Sequence, residues 1–277
     1  MNFLITGGAF DKLIKVWDIN THKLLFQLKG HDQGVWDLHK FSGLDLVVSA
    51  GMDKSIKIWN AKKGGPPLRQ IPDAHKNWIR GLLYIPESDG LVASSSYDKT
   101  VKVWNVQTGE LVQEMLGHEA DIYALTYEET TNQLISCDNK GNILRWNWLE
   151  GSFKVVQQDQ SGFFAIGITT IPNSKLMFTV GYNSFNIFAL DISKLNKQPL
   201  YVKKGHANET WNVKYRKGTG FIYSGSTDYS VKKWNVCEFL HEIFDLEEGI
   251  CVKECKEGYI ENSDLNICVK QVKKSEL

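Results

Sequence analysis

Residues 7–18 read GGAFDKLIKVWD, and the pattern returns as AGMDKSIKIWN at 50–60 and as SSYDKTVKVWN at 95–105. Each copy places an Asp-Lys pair between a stretch of small residues and a run that alternates basic with β-branched or aliphatic side chains and ends in tryptophan. Period-two alternation on either side of a short polar break is the pattern of two strands joined by a tight turn.

Following the tryptophan along the chain gives Trp17, Trp59, Trp104, Trp146 and Trp234, with Phe188 filling the gap, at intervals of 42 to 46 residues. A fixed period in that range is the mark of a repeat architecture. A second marker keeps the same phase: a histidine preceded by Gly or Ala stands at His31, His75, His118 and His206, 28 or 29 residues ahead of the next tryptophan, and Gln160 holds that place in the fifth unit. Six units are therefore expected, ending near Trp17, Trp59, Trp104, Trp146, Phe188 and Trp234. Stretches such as KLLFQLKGH and ELVQEMLGH supply a strand before each histidine. GVWDLHKF, WIRGLLYI, DIYALTY and TWNVKYR supply one after it, so that a full unit has four short strands.

Four strands repeated at this period, with these two markers in register, resemble the WD-repeat family, whose units form the antiparallel blades of a β-propeller. The resemblance covers residues 1–245 and implies an all-β propeller of six WD-type units, followed by a cysteine-rich tail at 246–277. It is weakest in the fourth unit, CDNKGNILRWNW, and in the fifth, VGYNSFNIFALD. The first unit begins at its second strand: Phe3 to Gly7 and Leu13 to Asp18 read as strands two and three. Its blade is expected to lack the innermost strand, the ring to be incompletely closed, and the chain to be a fragment of a longer protein. CEFLHEIFDL after the last tryptophan reads as an outermost strand.

Serine, histidine and aspartate recur together as His31, Ser49, Asp53, as His75, Ser94, Asp98 and as His206, Ser224, Asp228, each set with its tryptophan Trp59, Trp104 or Trp234. Catalysis needs one such set in a cleft with an oxyanion hole, and several interchangeable copies argue instead for a framework. The resemblance implies that framework: aspartate accepts from histidine, serine bridges to the imidazole, and the indole N–H reaches the hydroxyl. The fourth unit keeps His118, Ser136 and Trp146 but has Lys140 in the aspartate place. The fifth, with Gln160, Phe178, Tyr182 and Phe188, is expected to rely on apolar packing alone.

In the WD-repeat family the residues flanking the first apolar position of the innermost strand, and the residue before the turn aspartate, lie on the upper face. Carried onto this chain they are Trp36, Arg80, Tyr123, Ala165 and Trp211 after the apolar position, and Gly34, Trp78, Asp121, Phe163 and Glu209 before it. Phe10, Met52, Tyr97, Asn139, Gly181 and Thr227 precede the turn. Seven of these sixteen are aromatic, against 12% of the whole chain, and aromatic side chains concentrate at contact centres. Local packing of some rings, Phe163 above all, is the plainer alternative. The family and these residues imply a non-catalytic scaffold that binds a protein or peptide, one bringing an apolar or cationic side chain to the rings.

The 277 residues hold 32 basic and 32 acidic side chains and no long run of either, which argues against a nucleic-acid partner. No apolar stretch is long enough to span a bilayer, and MNFLITGGAF lacks the features of a secretory signal, so the default expectation is a cytoplasmic location. Neither a metal-ligand cluster nor a phosphate-cradling glycine loop is present in the pattern, and no cofactor is expected. The tail complicates this. CVKECKEGYIENSDLNICVK at 251–270 is similar to one furin-like, growth-factor-receptor type cysteine-rich repeat. That similarity implies extracellular disulfides among Cys251, Cys255 and Cys268, with Cys237 as fourth partner. A reduced unstructured tail and a four-cysteine zinc site are the alternatives, and the corresponding second functional reading is a piece of a larger extracellular or membrane adhesion protein. Asn208-Glu209-Thr210 is a glycosylation sequon that would crowd the binding face, which weighs against secretion.

Overall fold

The computed structural model describes residues 3–41, 45–86, 88, 90–157, 164–172, 174–182, 184–194 and 199–237, with the backbone of four short strands between 243 and 270. Gln160, Phe163 and Cys255 lie outside the described residues. The fold is all-β and built of six antiparallel sheets of propeller-blade type, in sequence order.

The first sheet has three strands, β1 (Phe3–Gly7), β2 (Ile14–Asp18) and β3 (Leu24–Leu28). The second has β4 (Val35–Lys40), β5 (Leu46–Gly51), β6 (Ile56–Asn60) and β7 (Arg69–Ile71). The third has β8 (Ile79–Tyr84), β9 (Leu91–Ser96), β10 (Thr100–Asn105) and β11 (Leu111–Leu116). The fourth has β12 (Ile122–Glu128), β13 (Gln133–Asp138), β14 (Ile143–Asn147) and β15 (Ser152–Gln157). The fifth has β16 (Phe164–Thr170), β17 (Leu176–Tyr182), β18 (Asn186–Asp191) and β19 (Tyr201–Lys204), and the sixth has β20 (Thr210–Arg216), β21 (Phe221–Ser226) and β22 (Val231–Asn235). The first sheet thus begins with a second-position strand, as its sequence requires. Two compact units result: residues 1–127, 134–139 and 143–154 form one, and the remainder the other.

The expected outermost strand after Trp234 is not in the sixth sheet. β23 (Ile243–Asp245) instead pairs antiparallel with β24 (Ile250–Val252) and parallel with β26 (Ile267–Lys270), which in turn pairs with β25 (Tyr259–Asn262). The chain leaves β22 through Val236 and Cys237, both fully buried, and Cys237 is disulfide-bonded.

The hairpin turns explain the recurring Asp-Lys. The residue after the turn aspartate has positive φ in Lys12 (61°), Lys54 (62°), Lys99 (72°) and Tyr229 (64°), and Gly141 (84°) takes that place in the fourth sheet. A non-glycine residue held there costs about 1 kcal/mol, which the aspartate offsets by accepting backbone amides across the turn. Central strands of the second and third sheets are buried on both faces, as in LVASSS of β9 and TVKVWN of β10, whereas β22 of the sixth alternates exposed and half-buried residues. One core joins Val48, Ile56 and Ile58 of the second sheet to Ile79, Leu82 and Trp104 of the third. Another joins Phe178, Val180 and Ile187 of the fifth to Val213 and Ile222 of the sixth.

Candidate functional site

Four sheets carry the same chain of polar groups. In the second, Trp59 Nε1 donates to Ser49 Oγ at 2.7 Å, Ser49 Oγ meets His31 Nε2 at 2.6 Å, and His31 Nδ1 meets Asp53 Oδ2 at 2.7 Å. The third repeats this with Trp104, Ser94, His75 and Asp98 at 2.9, 2.7 and 2.9 Å, and the sixth with Trp234, Ser224, His206 and Asp228 at 2.8, 2.7 and 2.9 Å. An indole N–H only donates, so the serine oxygen accepts from it; with the serine proton given to His Nε2, the histidine Nδ1 donates to the carboxylate. Every donor in the chain has an acceptor.

The fourth sheet corrects the sequence reading. Lys140 does occupy the turn position and is exposed, but His118 Nδ1 finds Asp138 Oδ2 at 2.8 Å, and Ser136 and Trp146 complete the set at 2.6 and 2.7 Å. Ser136 and Asp138 are two apart on β13, and residues at i and i+2 share a face of a strand. The carboxylate therefore reaches the same imidazole from the strand instead of the turn. The network of the fourth sheet is thus completed by Asp138.

These sets have the connectivity of a hydrolytic triad but not its accessibility. Ser49, Ser94, Ser136 and Ser224 are all 0% exposed, and each oxygen already accepts an indole N–H. No substrate carbonyl can approach them. Burial works to raise the Asp53 carboxyl, but donors from His31, Ser55 and the Asp32 amide outweigh it and hold the group at about 2. Asp98 is lowered in the same way by His75, Thr100 and Lys76, while burial pushes His75 below the ordinary imidazole value. Hydroxyls two residues past the aspartate were missed as partners: Ser55, Thr100 and Ser230 donate to Asp53, Asp98 and Asp228 at 2.8, 2.7 and 2.6 Å. The signal was legible as the Ser or Thr in DKS, DKT and DYS.

The proposed face residues are assembled by backbone irregularities. Pairing of β4 with β5 skips Trp36, pairing of β8 with β9 skips Arg80, and pairing of β20 with β21 skips Trp211. A β-bulge leaves one residue outside the ladder and re-aims its side chain. At the same end of these sheets, and of the fourth, the residue before the turn bonds back to the start of the inner strand: Met52 N to Gly34 O at 2.9 Å, Tyr97 N to Trp78 O at 3.0 Å, Asn139 N to Asp121 O at 3.0 Å and Thr227 N to Glu209 O at 3.0 Å. The three mapped positions of a unit thus meet at one end of its sheet. In the fifth sheet the skipped residue is Ile166, one place later than Ala165, and both are buried. The position is apolar there.

Within the first unit the rings form one cluster. Trp36 lies edge-on to Trp78 at 5.1 Å and 5.7 Å from Tyr97, and Tyr97 lies 5.8 Å from Trp78 and 4.9 Å from Tyr123. The Arg80 guanidinium sits over Trp36 at 4.9 Å and over Tyr123 at 5.6 Å. Trp36, Trp78, Arg80, Tyr97, Asp121 and Tyr123 are all half-buried, and burial, with a hydrogen bond to Tyr123, raises the Tyr97 phenol well above its usual range. Met52, Glu209 and Trp211 are half-buried and Phe10 is 99% exposed. Gly34 has no side chain for a reason: a Cβ there would collide with the carbonyl of Ala9 in the first sheet's turn.

Among the described residues no cluster of three or more His, Cys, Asp or Glu is placed to hold a metal ion, and no helix is long and apolar enough to cross a membrane. Over 63 residues, 23% of the chain, the sequence is 46% identical to cell division control protein 4 of Saccharomyces cerevisiae, covering 8% of that protein. It is 34% identical over 89 residues, 32% of the chain, to WD repeat and SOCS box-containing protein 1 of Homo sapiens, covering 21% of it. Over 84 residues, 30% of the chain, it is 34% identical to nuclear distribution protein PAC1-2 of Uncinocarpus reesii, covering 18% of that protein. The aligned part is thus about a fifth of these relatives or less. The family model "WD domain, G-beta repeat" matches residues 22–60, 65–105 and 197–235. Three stretches of the chain thus match WD repeats, and the fourth sheet, outside those stretches, carries the same Trp-Ser-His-Asp network.

Proposed function

We propose that the chain is a non-catalytic scaffold that binds a protein or peptide through the bulge-bearing end of its sheets. The observation that carries this is the cluster of Trp36, Trp78, Tyr97 and Tyr123 with Arg80 laid across two of the rings. Half-buried aromatic and arginine side chains side by side are the composition of an interface centre. Arg80 already lies over two ring faces, which favours an apolar anchor over a cationic one and gives an adjacent acidic group a partner. Trp211 and Glu209 mark the same end of the sixth sheet. A relative named for WD repeats and a SOCS box supports a scaffold reading by its name alone. Quantitative affinity capture of wild type beside Tyr123→Ala and Trp211→Ala tests it. Partners should fall at least tenfold with the circular dichroism unchanged, and an unchanged set of partners overturns the reading.

One observation favours the second reading, an extracellular or membrane-protein fragment: Cys237 is in a disulfide. Thiol counting on protein made in an oxidising and in a reducing compartment decides it, since four blocked thiols among Cys237, Cys251, Cys255 and Cys268 support secretion and four reactive ones oppose it.

A further inference from the structure

Five sheets have an outermost strand with one free edge, and four of these strands guard it. β3 is flanked by Lys23 and Lys29, β7 lies between Pro67 and Pro72, β15 contains Lys154, and β19 follows Pro199 and ends in Lys203 and Lys204. Lysine and proline at an edge discourage pairing with another chain. β11 has neither. From Glu110 to Gly117 the sequence reads ELVQEMLG, and among the described residues no strand lies along the outer side of β11. An uncovered row of backbone N–H and C=O groups is a template for one more strand.

The side chains along that edge are apolar and acidic. Leu111, Val112 and Leu116 are exposed, Leu116 by 66%. Leu116 stands two places before His118, where the other units with a histidine have Lys29, Asp73 and Lys204, so the repeat itself does not demand leucine there. The fourth sheet extends the patch. Gly151 lies so close to β11 that a Cβ on it would stand 2.5 Å from Gln113 Nε2, and a Cβ on Gly117 would stand 2.7 Å from the Phe153 ring. These approaches bring exposed Leu149 and Phe153 alongside β11. Three exposed carboxylates, Glu110, Glu114 and Glu150, border the apolar side chains, and the lysine that reaches Glu114, Lys102 at 3.3 Å, is itself buried. Lys154 leaves the opposite face of β15 from Phe153, and Arg69 of the second sheet donates to the Thr108 carbonyl at 3.1 Å.

We propose that the edge of β11 is a docking site for an extended segment of another protein, one in which a lysine or arginine stands between two apolar residues, each two places away. β11 sets that spacing. Residues opposite one another on neighbouring strands share a face, and so do residues two apart on one strand. Leu116 and Glu114 pair with Thr100 and Lys102 of β10 and share one face. An added strand therefore sets an apolar residue beside Leu116 and, two places on, its basic residue beside Glu114. The register shift between Val103 and Trp104 leaves Val112 outside the ladder and exposed at the same edge, where the second apolar residue lies. A second copy fits poorly, because pairing β11 with itself brings Glu110 and Glu114 toward the same carboxylates of the other copy, and like charges across a ladder repel. β11 and β8 are opposite edges of the third sheet, so this site is separate from the ring cluster at the start of β8.

The probe is a fluorescent nine-residue peptide, Ser-Thr-Val-Thr-Lys-Thr-Val-Thr-Ser, titrated into the full chain. Saturable binding is expected, weakened tenfold or more when the peptide's lysine is replaced by glutamate. Leu116→Lys, which installs the residue type of Lys29 and Lys204, should weaken binding as much with the circular dichroism unchanged. Glu114→Gln should remove most of the preference for the lysine peptide over the glutamate one. Hydrogen exchange should slow in Leu111–Leu116 and stay unchanged in Ile79–Tyr84, which separates this site from the aromatic cluster. The peptide substitution leaves the protein untouched, so misfolding of a variant does not blunt the test. Absence of saturable binding to natively folded protein, less than a twofold difference between the two peptides, or protection outside β11 overturns the proposal. So does self-association of the chain that Leu116→Lys abolishes, which would put a second copy on the edge.

Discussion

The third and fifth sheets solve one packing problem in opposite ways. In the third, β9 ends in three consecutive buried serines, and Ser94 is bound by His75 and Trp104. In the fifth, the place of Ser94 is held by Phe178 and that of Trp104 by Phe188, and Phe178 is buried among Val180, Ile187, Ala189, Val213 and Ile222. Both sheets have four antiparallel strands in sequence order. Directional bonds are therefore not required for the architecture. What they add is a fixed register between the inner strand, the turn and the third strand, at a modest net gain per bond once exchange with water is counted. Apolar filling gives larger stabilisation per residue and no such fixing. Each of the two sheets also tolerates one defect, since Ser95 Oγ in the third and Thr179 Oγ1 in the fifth are buried with no hydrogen-bond partner.

The largest expected effect lies in the apolar sheet. Phe178→Ala should destabilise by about 3–5 kcal/mol, the usual cost of emptying a buried phenylalanine site, read as a drop in the urea midpoint with the slope unchanged. A loss under about 1 kcal/mol would mean the core there collapses to fill the space and would break the contrast. Next, Asp98→Ala should cost about 3 kcal/mol, because it strands the His75 Nδ1 proton and the Lys76 amide together. The fourth sheet sharpens the comparison: Asp138→Ala should resemble Asp98→Ala, whereas Lys140→Ala should stay within about 0.5 kcal/mol as an exposed substitution. Equal effects at 138 and 140 would argue that the carboxylate on the strand does not replace the one in the turn.

Those results bear on what a sequence can disclose. Period, strand order and the three-stranded first sheet follow from side-chain alternation and two markers, because local pattern and tertiary packing agree in this chain. Asp138 was hidden because the markers were aligned by turn position, while hydrogen bonding depends on which face of a strand a carboxylate leaves from. Trp36, Arg80 and Trp211 were named by analogy, and the reason they leave the ladder, a bulge at each, has no local sequence signature here. Ile166 shows the cost: a ladder that skips one residue later moves the position by one, and Ala165 was named instead. The stretch after Trp234 misled for another reason. Its apolar alternation specifies a strand but not the sheet that takes it, and β23 pairs with β24 and β26 instead.

The smallest effect expected is a pH dependence confined to the polar sheets. Burial holds the His75 imidazole below its ordinary value near 6.5, so the unfolded chain takes up that proton at a higher pH than the folded one. Stability from this group is then complete above about pH 6.5 and declines as pH falls from there toward the lower folded value. The difference in unfolding free energy between wild type and His75→Gln should accordingly shrink from pH 7.5 to pH 5.5, while the deficit of Phe178→Ala stays constant. The aspartates act in a different window. Asp53, held at about 2, contributes above its unfolded value near 3.8 and loses that contribution only as pH falls toward 2. A wild-type to His75→Gln gap that widens with acidification would mean that the imidazole folds charged, as the cation of an ion pair with Asp98. Ser94 could then no longer donate to Nε2, and the chain of donors running from Trp104 would need a different direction.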